Sequence, residues 1–337
     1  MFGQKAPGLD GGLGIPLMGR ARLADVSGMG HANLDRLLGL VAQVEGSDLH
    51  LKAGSPPRIR VDGELRSLEE PELTAEDTRQ ILDAVLPENL RAHFEERREA
   101  DFAYSVPGVG RFRTNAFCQR GSVALVMRRV RPNPASFEEL GLPDVVRRLA
   151  EEQRGLILVT GPTGSGKTTT LAAMIDHINR TRECQVITIE DPIEFLHQDQ
   201  LAAINQREVG FDTMDFASAL RAAMRQDPDV ILVGEMRDTE TVETALTAAE
   251  TGHLVLSTLH TIDSIETVNR IVDLFPPHQQ HQVRISLAGS LRGAICQRLV
   301  PLADGSGRVP ALEVMVVNGR IQECIVDPLR AGEFKEI

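Results

Sequence analysis

Four short apolar runs in the second half of the chain predict the strands of a buried sheet. They cover residues 156–159, 186–189, 230–233 and 254–257, and they are nearly continuous in apolar character, as in strands with both faces covered. Between them, residues 216–224 and 239–251 place apolar side chains at helical spacing, and Gly252 closes the second helix. This alternation predicts an α/β fold in which helices cover a parallel sheet.

Residues 31–131 predict a smaller α+β domain. A helix is expected near residues 34–41, and residues 58–61 and 64–66 are expected to form a hairpin through Asp62-Gly63. A charged helix over residues 74–98 then precedes three strands near residues 101–106, 111–117 and 123–130.

Two segments predict the borders of this domain. Residues 1–30 are glycine-rich and lack apolar periodicity, which predicts a flexible lead-in. Residues 132–136 begin Pro-Asn-Pro, which disfavours both helix and strand, and they are the expected linker to a second domain at residues 137–337.

A glycine-rich loop follows the first apolar run. Residues 161–168 read G-x-x-x-x-G-K-T, and a strand before them and a helix after them give the context of a phosphate-binding loop. Lys167 is expected to reach the β- and γ-phosphates of a nucleotide, and the Thr168 hydroxyl to bind Mg²⁺. The predicted nucleotide-binding residues of this loop are Gly161, Pro162, Thr163, Gly164, Ser165, Gly166, Lys167, Thr168 and Thr169.

Acidic side chains follow the second and third apolar runs. Because ligands of open α/β sheets bind at the carboxyl ends of the strands, we expect these side chains to lie near the phosphate-binding loop. Glu190 and Glu194 follow the second run, and with Thr168 they are the candidate Mg²⁺ ligands, directly or through water. Glu235 follows the third run after Gly234, which stands where phosphate-loop enzymes usually place Asp. Glu235 is therefore the nearest carboxylate to polarise an attacking water.

Two histidines flank the fourth apolar run. His253 precedes it and His260 follows it. They could sense phosphate or bridge to a neighbouring subunit, or each could be a structural imidazole, and the residues alone leave both interpretations open. The predicted catalytic set is Glu235, Glu194, Lys167, His260 and His253.

Composition narrows the class of protein. The 337 residues carry a net charge of −12, from 36 basic and 48 acidic side chains, so nucleic acid is not expected as a partner. The four cysteines lie far apart and form no C-x-x-C pair, which indicates reduced thiols and no zinc site. No stretch of about 18 apolar residues occurs, so we expect a soluble protein that is not secreted.

Four segments, in order, resemble one known family. Residues 190–195 read EDPIEF, residues 205–209 NQREV, residues 227–238 DPDVILVGEMRD and residues 248–253 AAETGH. With the phosphate-binding loop, this series is similar to the motifs of the twitching-motility retraction ATPases of type IV pili, which are relatives of the secretion ATPases. The resemblance implies a RecA-like P-loop motor domain with a parallel sheet, preceded by a PAS-like α+β domain.

The resemblance also implies roles for individual residues. Glu194 becomes the Asp-box acid, Glu235 the Walker B glutamate, and His253 and His260 the His-box residues. The family's PAS-like domain carries arginines on its closing strands that reach nucleotide phosphates. Two residues of this chain match those positions, Arg113 and Arg128. Without the resemblance, we would interpret them as solvated strand arginines.

The function implied by the resemblance is hydrolysis of ATP with Mg²⁺ by a homohexameric motor that powers pilus retraction. Such a motor is cytoplasmic and peripheral to the inner membrane at the pilus base, where it acts on an integral platform protein alongside other pilus motor ATPases. The chain lacks the four-cysteine metal module of extension relatives, which favours retraction. The alternatives are another secretion-type or regulatory ATPase, including a non-hydrolysing subunit, and, against the net charge, a nucleic-acid translocase.

Overall fold

A computed structural model describes residues 31–132, 134–303, 307–327 and 329–330. The flexible lead-in predicted for residues 1–30 lies outside these ranges. The described chain divides into two compact units. One comprises residues 31–100 with Asn115–Val126, and the other comprises Asp101–Thr114 with the described residues from Met127 onward. The domain boundary at residues 132–136 stays a prediction.

Residues 31–132 contain six strands and three α-helices, and the strands form a sheet in the order β3-β2-β1-β6-β5-β4. Asp62 (φ 51°) and Gly63 (φ 81°) make the left-handed turn between β2 and β3, which confirms the predicted hairpin. The elements are α1 (His31–Gln43), β1 (Asp48–Lys52), β2 (Arg58–Val61), β3 (Glu64–Ser67), α2 (Ala75–Val85), a 3₁₀ turn (Glu88–Leu90), α3 (Arg91–Arg97), β4 (Glu99–Val106), β5 (Gly110–Gln119) and β6 (Ser122–Arg129).

The single charged helix predicted over residues 74–98 is wrong, because two helices occupy this segment. Thr74 caps α2, since its Oγ1 accepts a hydrogen bond from the Asp77 backbone N–H at 3.1 Å, and the Asp77 carboxylate accepts one from the Thr74 N–H at 2.8 Å. The helix stops at Leu86, which is extended (φ −69°, ψ 121°), because Pro87 disfavours helical backbone in the residue before it.

The second half of the chain is built around a seven-stranded sheet in the order β13-β12-β7-β11-β10-β8-β9. All neighbours are parallel except β13, which runs antiparallel to β12, and this confirms the predicted α/β class. The elements are α4 (Asp144–Ala150), β7 (Gly155–Thr160), α5 (Lys167–Thr181), β8 (Gln185–Glu190), β9 (Ala203–Glu208), α6 (Phe216–Ala223), β10 (Val230–Val233), α7 (Thr239–Glu250), β11 (Leu254–Leu259), α8 (Ser264–Asp273), α9 (Pro277–Ser290), β12 (Leu291–Pro301), β13 (Arg308–Val316) and α10 (Gly319–Val326).

Helices cover both faces of this sheet. On β7, Leu156 and Leu158 belong to the core shared with α6 to α9, whereas Ile157 and Val159 belong to the core shared with α4 and α5. Successive strand side chains point to opposite faces, so a strand buried on both sides must be apolar throughout. This explains why the four apolar runs identify β7, β8, β10 and β11. Within the ranges described, no helix is both long and apolar enough to cross a membrane.

Candidate nucleotide site

The phosphate-binding loop joins the carboxyl end of β7 to α5, as predicted. Its first residue, Gly161, has φ 143°, and a Cβ placed there would lie 2.2 Å from the carbonyl oxygen of Gln297 on β12. Both the backbone conformation and the close approach of β12 therefore require glycine at this position.

Lys167 begins α5 and turns its side chain across the loop. Its Nζ donates hydrogen bonds to the carbonyl oxygens of Gly161 at 2.8 Å and Pro162 at 3.2 Å. Burial lowers the pKa of the Lys167 ammonium, and the charge of Glu235 opposes that shift. The lysine is thus held over the concave side of the loop, where phosphates bind in proteins with this motif.

Gln297 on β12 supports the loop, although no motif in the sequence predicts this role. Its Nε2 donates to the Ser165 carbonyl oxygen at 2.8 Å, and its Oε1 accepts from Thr170 Oγ1 at 2.8 Å. The side chain is buried, with 3% of the residue exposed, so both bonds are made away from water. One signal was present, since Gln297 and Arg298 are the polar residues of an otherwise apolar segment, residues 294–300.

A cavity of about 580 Å³ opens above the loop at the carboxyl edge of the sheet. It brings together most of the predicted site residues, which are Thr163, Gly164, Ser165, Gly166, Lys167, Thr168, Thr169, Glu190, Glu194, Glu235 and His260. The same cavity is lined by residues that the sequence analysis did not select, including Phe195, His197, Phe216, Arg237, Leu299 and Arg308. Phe195, His197 and Arg237 lie in the segments that follow β8 and β10, as the predicted glutamates do, whereas Leu299 and Arg308 lie on β12 and β13.

Two side chains hold Glu235 in place just beyond the carboxyl end of β10. Its Oε2 lies 2.6 Å from Arg237 Nη2, and its Oε1 lies 3.0 Å from His260 Nε2. Burial raises the pKa of the Glu235 carboxyl, but the hydrogen bonds and charges of Arg237 and His260 outweigh burial and keep that pKa below its ordinary value. The carboxylate is therefore ionised at neutral pH, as a group that orients water must be.

The structure gives a steric reason for the departure at Gly234. A Cβ at this position would lie 3.2 Å from the Ile189 carbonyl oxygen and 3.4 Å from the Phe216 ring. The Gly234 N–H also donates to the Ile189 carbonyl oxygen at 2.8 Å. Because β8 and α6 pack this closely against the end of β10, little room remains for the Asp that other phosphate-loop enzymes use.

Glu190, the last residue of β8, and Glu194, in the loop that follows it, lie in different environments. Glu190 Oε1 accepts hydrogen bonds from Thr188 Oγ1 at 2.6 Å and from Gln206 Nε2 at 3.1 Å. Burial raises the pKa of the Glu190 carboxyl, although these hydrogen bonds oppose the shift. Glu194 also lines the cavity but is exposed. The Glu190 carboxyl is therefore fixed by hydrogen bonds in the wall of the cavity, whereas Glu194 is accessible to a ligand.

The carboxylates fit a magnesium ion that is bound through a nucleotide. Among the described residues, no group of three or more His, Cys, Asp or Glu side chains could hold a metal ion. Mg²⁺ in nucleotide sites takes one or two protein oxygens and completes its shell with phosphates and water. Thr168, Glu190 and Glu194 line one cavity and offer oxygen donors of this kind. Their role as metal ligands stays a prediction.

Five predicted residues are not among those that line the cavity. Gly161 and Pro162 accept the hydrogen bonds of Lys167 at the start of the loop, and the other three lie on other elements. His253 precedes β11, at the opposite end of the strand from His260, and a strand of this length spans roughly 20 Å. Its Nδ1 lies 2.9 Å from the Ala248 carbonyl oxygen near the end of α7. Arg113 on β5 and Arg128 on β6 are exposed and are not among the lining residues. The roles of these three residues in catalysis stay predictions.

Comparison with known proteins identifies the family. Residues 31–328 match the family model of type II/IV secretion system proteins. The chain is 48% identical over 305 residues to the type IV pilus retraction ATPase PilT of Pseudomonas aeruginosa, which covers 90% of this chain and 88% of the relative. It is also 42% identical over 303 residues to the type IV pilus ATPase PilU of the same species, covering 90% of this chain and 78% of that protein.

The structural comparison agrees with the sequence comparison. A crystal structure of the pilus retraction motor PilT with bound ADP matches with a TM-score of 0.82 and 51% identity, over 90% of this chain and 88% of that one. The second unit, with its seven-stranded sheet, therefore has the RecA-like fold of the secretion ATPases. The chain therefore belongs to the type IV pilus retraction ATPase (PilT) family of the type II/IV secretion system proteins.

Proposed function

We propose that this chain hydrolyses ATP with Mg²⁺ and uses the energy to retract type IV pili. It works as a homohexameric ring at the cytoplasmic face of the inner membrane, where it acts on an integral platform protein beside other pilus motor ATPases. One observation carries the proposal. Lys167, Glu194 and Glu235 line a single cavity in a chain that is 48% identical to the PilT of P. aeruginosa.

The residues of the cavity divide the work of phosphoryl transfer. Lys167 and the N–H groups at the start of α5 bind the β- and γ-phosphates. Glu235, kept ionised by Arg237 and His260, orients the attacking water, and Glu194 supplies a second carboxylate beside it. Bound Mg²⁺ neutralises charge that develops on the transferred phosphoryl group.

A regulatory pilus ATPase, including a non-hydrolysing subunit, is the main alternative. A subunit that binds nucleotide without hydrolysing it has no use for Glu235 held between Arg237 and His260. The intact lysine and carboxylates therefore support a hydrolysing motor. A nucleic-acid translocase is disfavoured because the net charge of −12 opposes binding to a polyanion.

Complementation separates these functions. A strain lacking its own retraction ATPase receives the wild-type chain or the Lys167→Ala variant, and pilus retraction is followed by microscopy while ATP hydrolysis is measured on purified protein. We expect retraction and hydrolysis with the wild type and neither with Lys167→Ala. Hydrolysis without retraction would assign the chain to another secretion-type role, and nucleotide binding without hydrolysis would assign it to the regulatory class.

A further inference from the structure

The segment that carries Glu194 is held by its backbone. Residues 193–197, here named the Asp-box segment, connect the end of β8 to the loop before β9. Ile193 and Phe195 are buried, whereas the Glu194 side chain between them is exposed and lines the cavity. Loops without such anchors are usually mobile. The orientation of Glu194 therefore depends on what fixes the backbone around it.

Gln206 on β9 fixes the second half of the segment. Its Nε2 donates to the Phe195 carbonyl oxygen at 2.9 Å and to Glu190 Oε1 at 3.1 Å. Its Oε1 accepts from the His197 backbone N–H at 2.9 Å. One amide thus ties two backbone groups of the segment to a glutamate in the cavity wall.

Glu208, two residues further along β9, fixes the first half. Its Oε2 accepts from the Ile193 backbone N–H at 3.2 Å and from Arg111 Nη2 at 3.2 Å. The Glu208 and Arg111 side chains are only 10% and 16% exposed, so this ion pair is largely shielded from water. The Arg111 guanidinium also lies over the Phe211 ring, 5.5 Å from its centre.

Two further bonds complete the hold on the backbone. The Glu194 N–H hydrogen-bonds to the Glu190 carboxyl, and the Leu196 N–H donates to the Arg131 carbonyl oxygen at 3.0 Å. The N–H groups of residues 193, 194, 196 and 197 are therefore all bound to groups outside the segment. Little freedom remains for the Glu194 backbone.

We propose that Gln206 and Glu208 are positioning residues that orient the Glu194 carboxylate, and that Arg111 couples this orientation to the position of strand β5. The inference rests on the role proposed above for Glu194. Arg111 is two residues from Arg113, so both lie on the same face of β5. A shift of β5 that moves Arg113 therefore also moves the partner of Glu208 and, through it, the Ile193 N–H.

The size of the effect follows from the geometry of catalysis. A displacement of about 1 Å in a catalytic group can lower a rate by about a hundredfold. Nucleotide binding depends mainly on the phosphate-binding loop, which the β9 side chains do not touch through any of the bonds described above. The positioning role therefore predicts loss of turnover without loss of nucleotide affinity.

The test uses the full-length chain with Gln206→Met, Arg111→Met and Arg111→Lys, and Asn205→Ala as control. Asn205 is exposed and points to the other face of β9. Turnover, affinity for a fluorescent ADP analogue, thermal midpoint and amide hydrogen exchange of residues 193–197 are measured for each.

We expect Gln206→Met to lower kcat at least tenfold and Arg111→Met at least threefold, with ADP affinity within twofold of wild type and faster exchange in the Asp-box segment. Arg111→Lys should restore at least half of the lost turnover, because lysine keeps the charge opposite Glu208. Asn205→Ala should match the wild type. Arg111 carries the test on its own if Gln206→Met does not fold.

Two results would overturn the inference. One is turnover within twofold of wild type in Arg111→Met, and the other is a parallel loss of ADP affinity and thermal midpoint, which marks a merely structural role. Glu194→Gln separates this failure from failure of the proposed function. If Glu194→Gln is inactive while the positioning variants are active, only the inference falls, whereas an active Glu194→Gln removes Glu194 itself from the mechanism.

Discussion

The Nε2 atom of His260 lies 3.0 Å from Oε1 of Glu235. The two residues follow neighbouring parallel strands, β11 and β10, so the sheet itself brings the imidazole to the carboxylate. This contact supports the interpretation of His260 as part of the site, because a purely structural imidazole has no need to meet the proposed water-orienting carboxylate. His253, at the other end of β11, gains no such support.

Lys167→Ala and Glu235→Gln should both abolish hydrolysis but differ in nucleotide binding. Lys167 contacts phosphate in the ground state, whereas a carboxylate that orients water acts mainly in the transition state. We expect ATP affinity, measured by calorimetry, to fall with Lys167→Ala and to survive Glu235→Gln. Turnover by Glu235→Gln within about twofold of the parent would remove Glu235 from the mechanism.

His197 should make stability depend on pH. Burial lowers the pKa of this imidazole from 6.5 to about 4, and its Nδ1 has no hydrogen-bond partner within the described part of the chain. Because the folded pKa lies below the ordinary value, its contribution to stability is complete above pH 6.5 and is lost as the pH falls toward 4. The shift corresponds to about 3 kcal/mol at most.

His197→Phe should therefore reduce the change of the thermal midpoint with pH between pH 7 and pH 4. The ring is kept but the titrating group is removed, so the change isolates protonation from packing. His281→Phe, at an exposed position of α9, is the control and should leave the pH profile of the wild type intact. Parallel profiles for His197→Phe and wild type would show that this imidazole does not control acid stability.

Gln297→Met should weaken both the fold and the phosphate-binding loop. Methionine keeps the shape but leaves the buried Ser165 carbonyl oxygen and Thr170 hydroxyl without the partners they have in the wild type. An unsatisfied buried polar group costs about 1–3 kcal/mol. We expect a lower free energy of unfolding in denaturant titrations, together with weaker ADP binding. Unchanged ADP affinity would show that the loop keeps its shape without β12.

Arg113→Ala and Arg128→Ala should lower kcat by at least tenfold if these arginines reach the phosphates during turnover. Arginines that stabilise transferring phosphoryl groups contribute several orders of magnitude in rate, mostly in the transition state. ADP affinity should change less than turnover. Arg66→Ala, at an exposed arginine of β3, is the matched control and should behave as wild type. Full activity of both variants would leave them as solvated strand arginines.

The parts of the fold that the sequence predicts are those with an unbroken local signal. The strands of the sheet centre carry nearly continuous apolar runs because both faces are buried, and the phosphate-binding loop has its own spacing. Strand β9 was missed because it lies at the sheet edge and reads AINQRE, with exposed and buried positions mixed. Strand β12 was missed because Gly293 and Gln297 interrupt its apolar pattern.

The sequence predicts residues that line the cavity but not the residues that hold its loops in place. Glu190, Glu235 and His260 were found because they follow strands whose carboxyl ends meet at one edge. Gln206 and Gln297 act on loops that are remote in sequence, so no local spacing marks them, and only the packing of β9 and β12 brings them there. The hydrogen-bond partners of such residues are determined by the tertiary structure and cannot be read from the local sequence.

Mixing experiments test the ring. A filament can be pulled without release only if several sites act in turn, and a head-to-tail interface whose rotation closes provides this with one kind of subunit. A cycle at one site biases the next only through contacts that differ between its two states. Wild-type and Lys167→Ala chains are therefore co-assembled at varied ratios, and total ATP hydrolysis is measured at a constant total protein concentration. If the sites are coupled, ATP hydrolysis should fall more steeply than in proportion to the fraction of Lys167→Ala chains. Mixtures with Asn205→Ala in place of Lys167→Ala are the control and should keep the activity of the wild type. A strictly proportional fall, or a monomeric mass with nucleotide at micromolar protein, would contradict the ring.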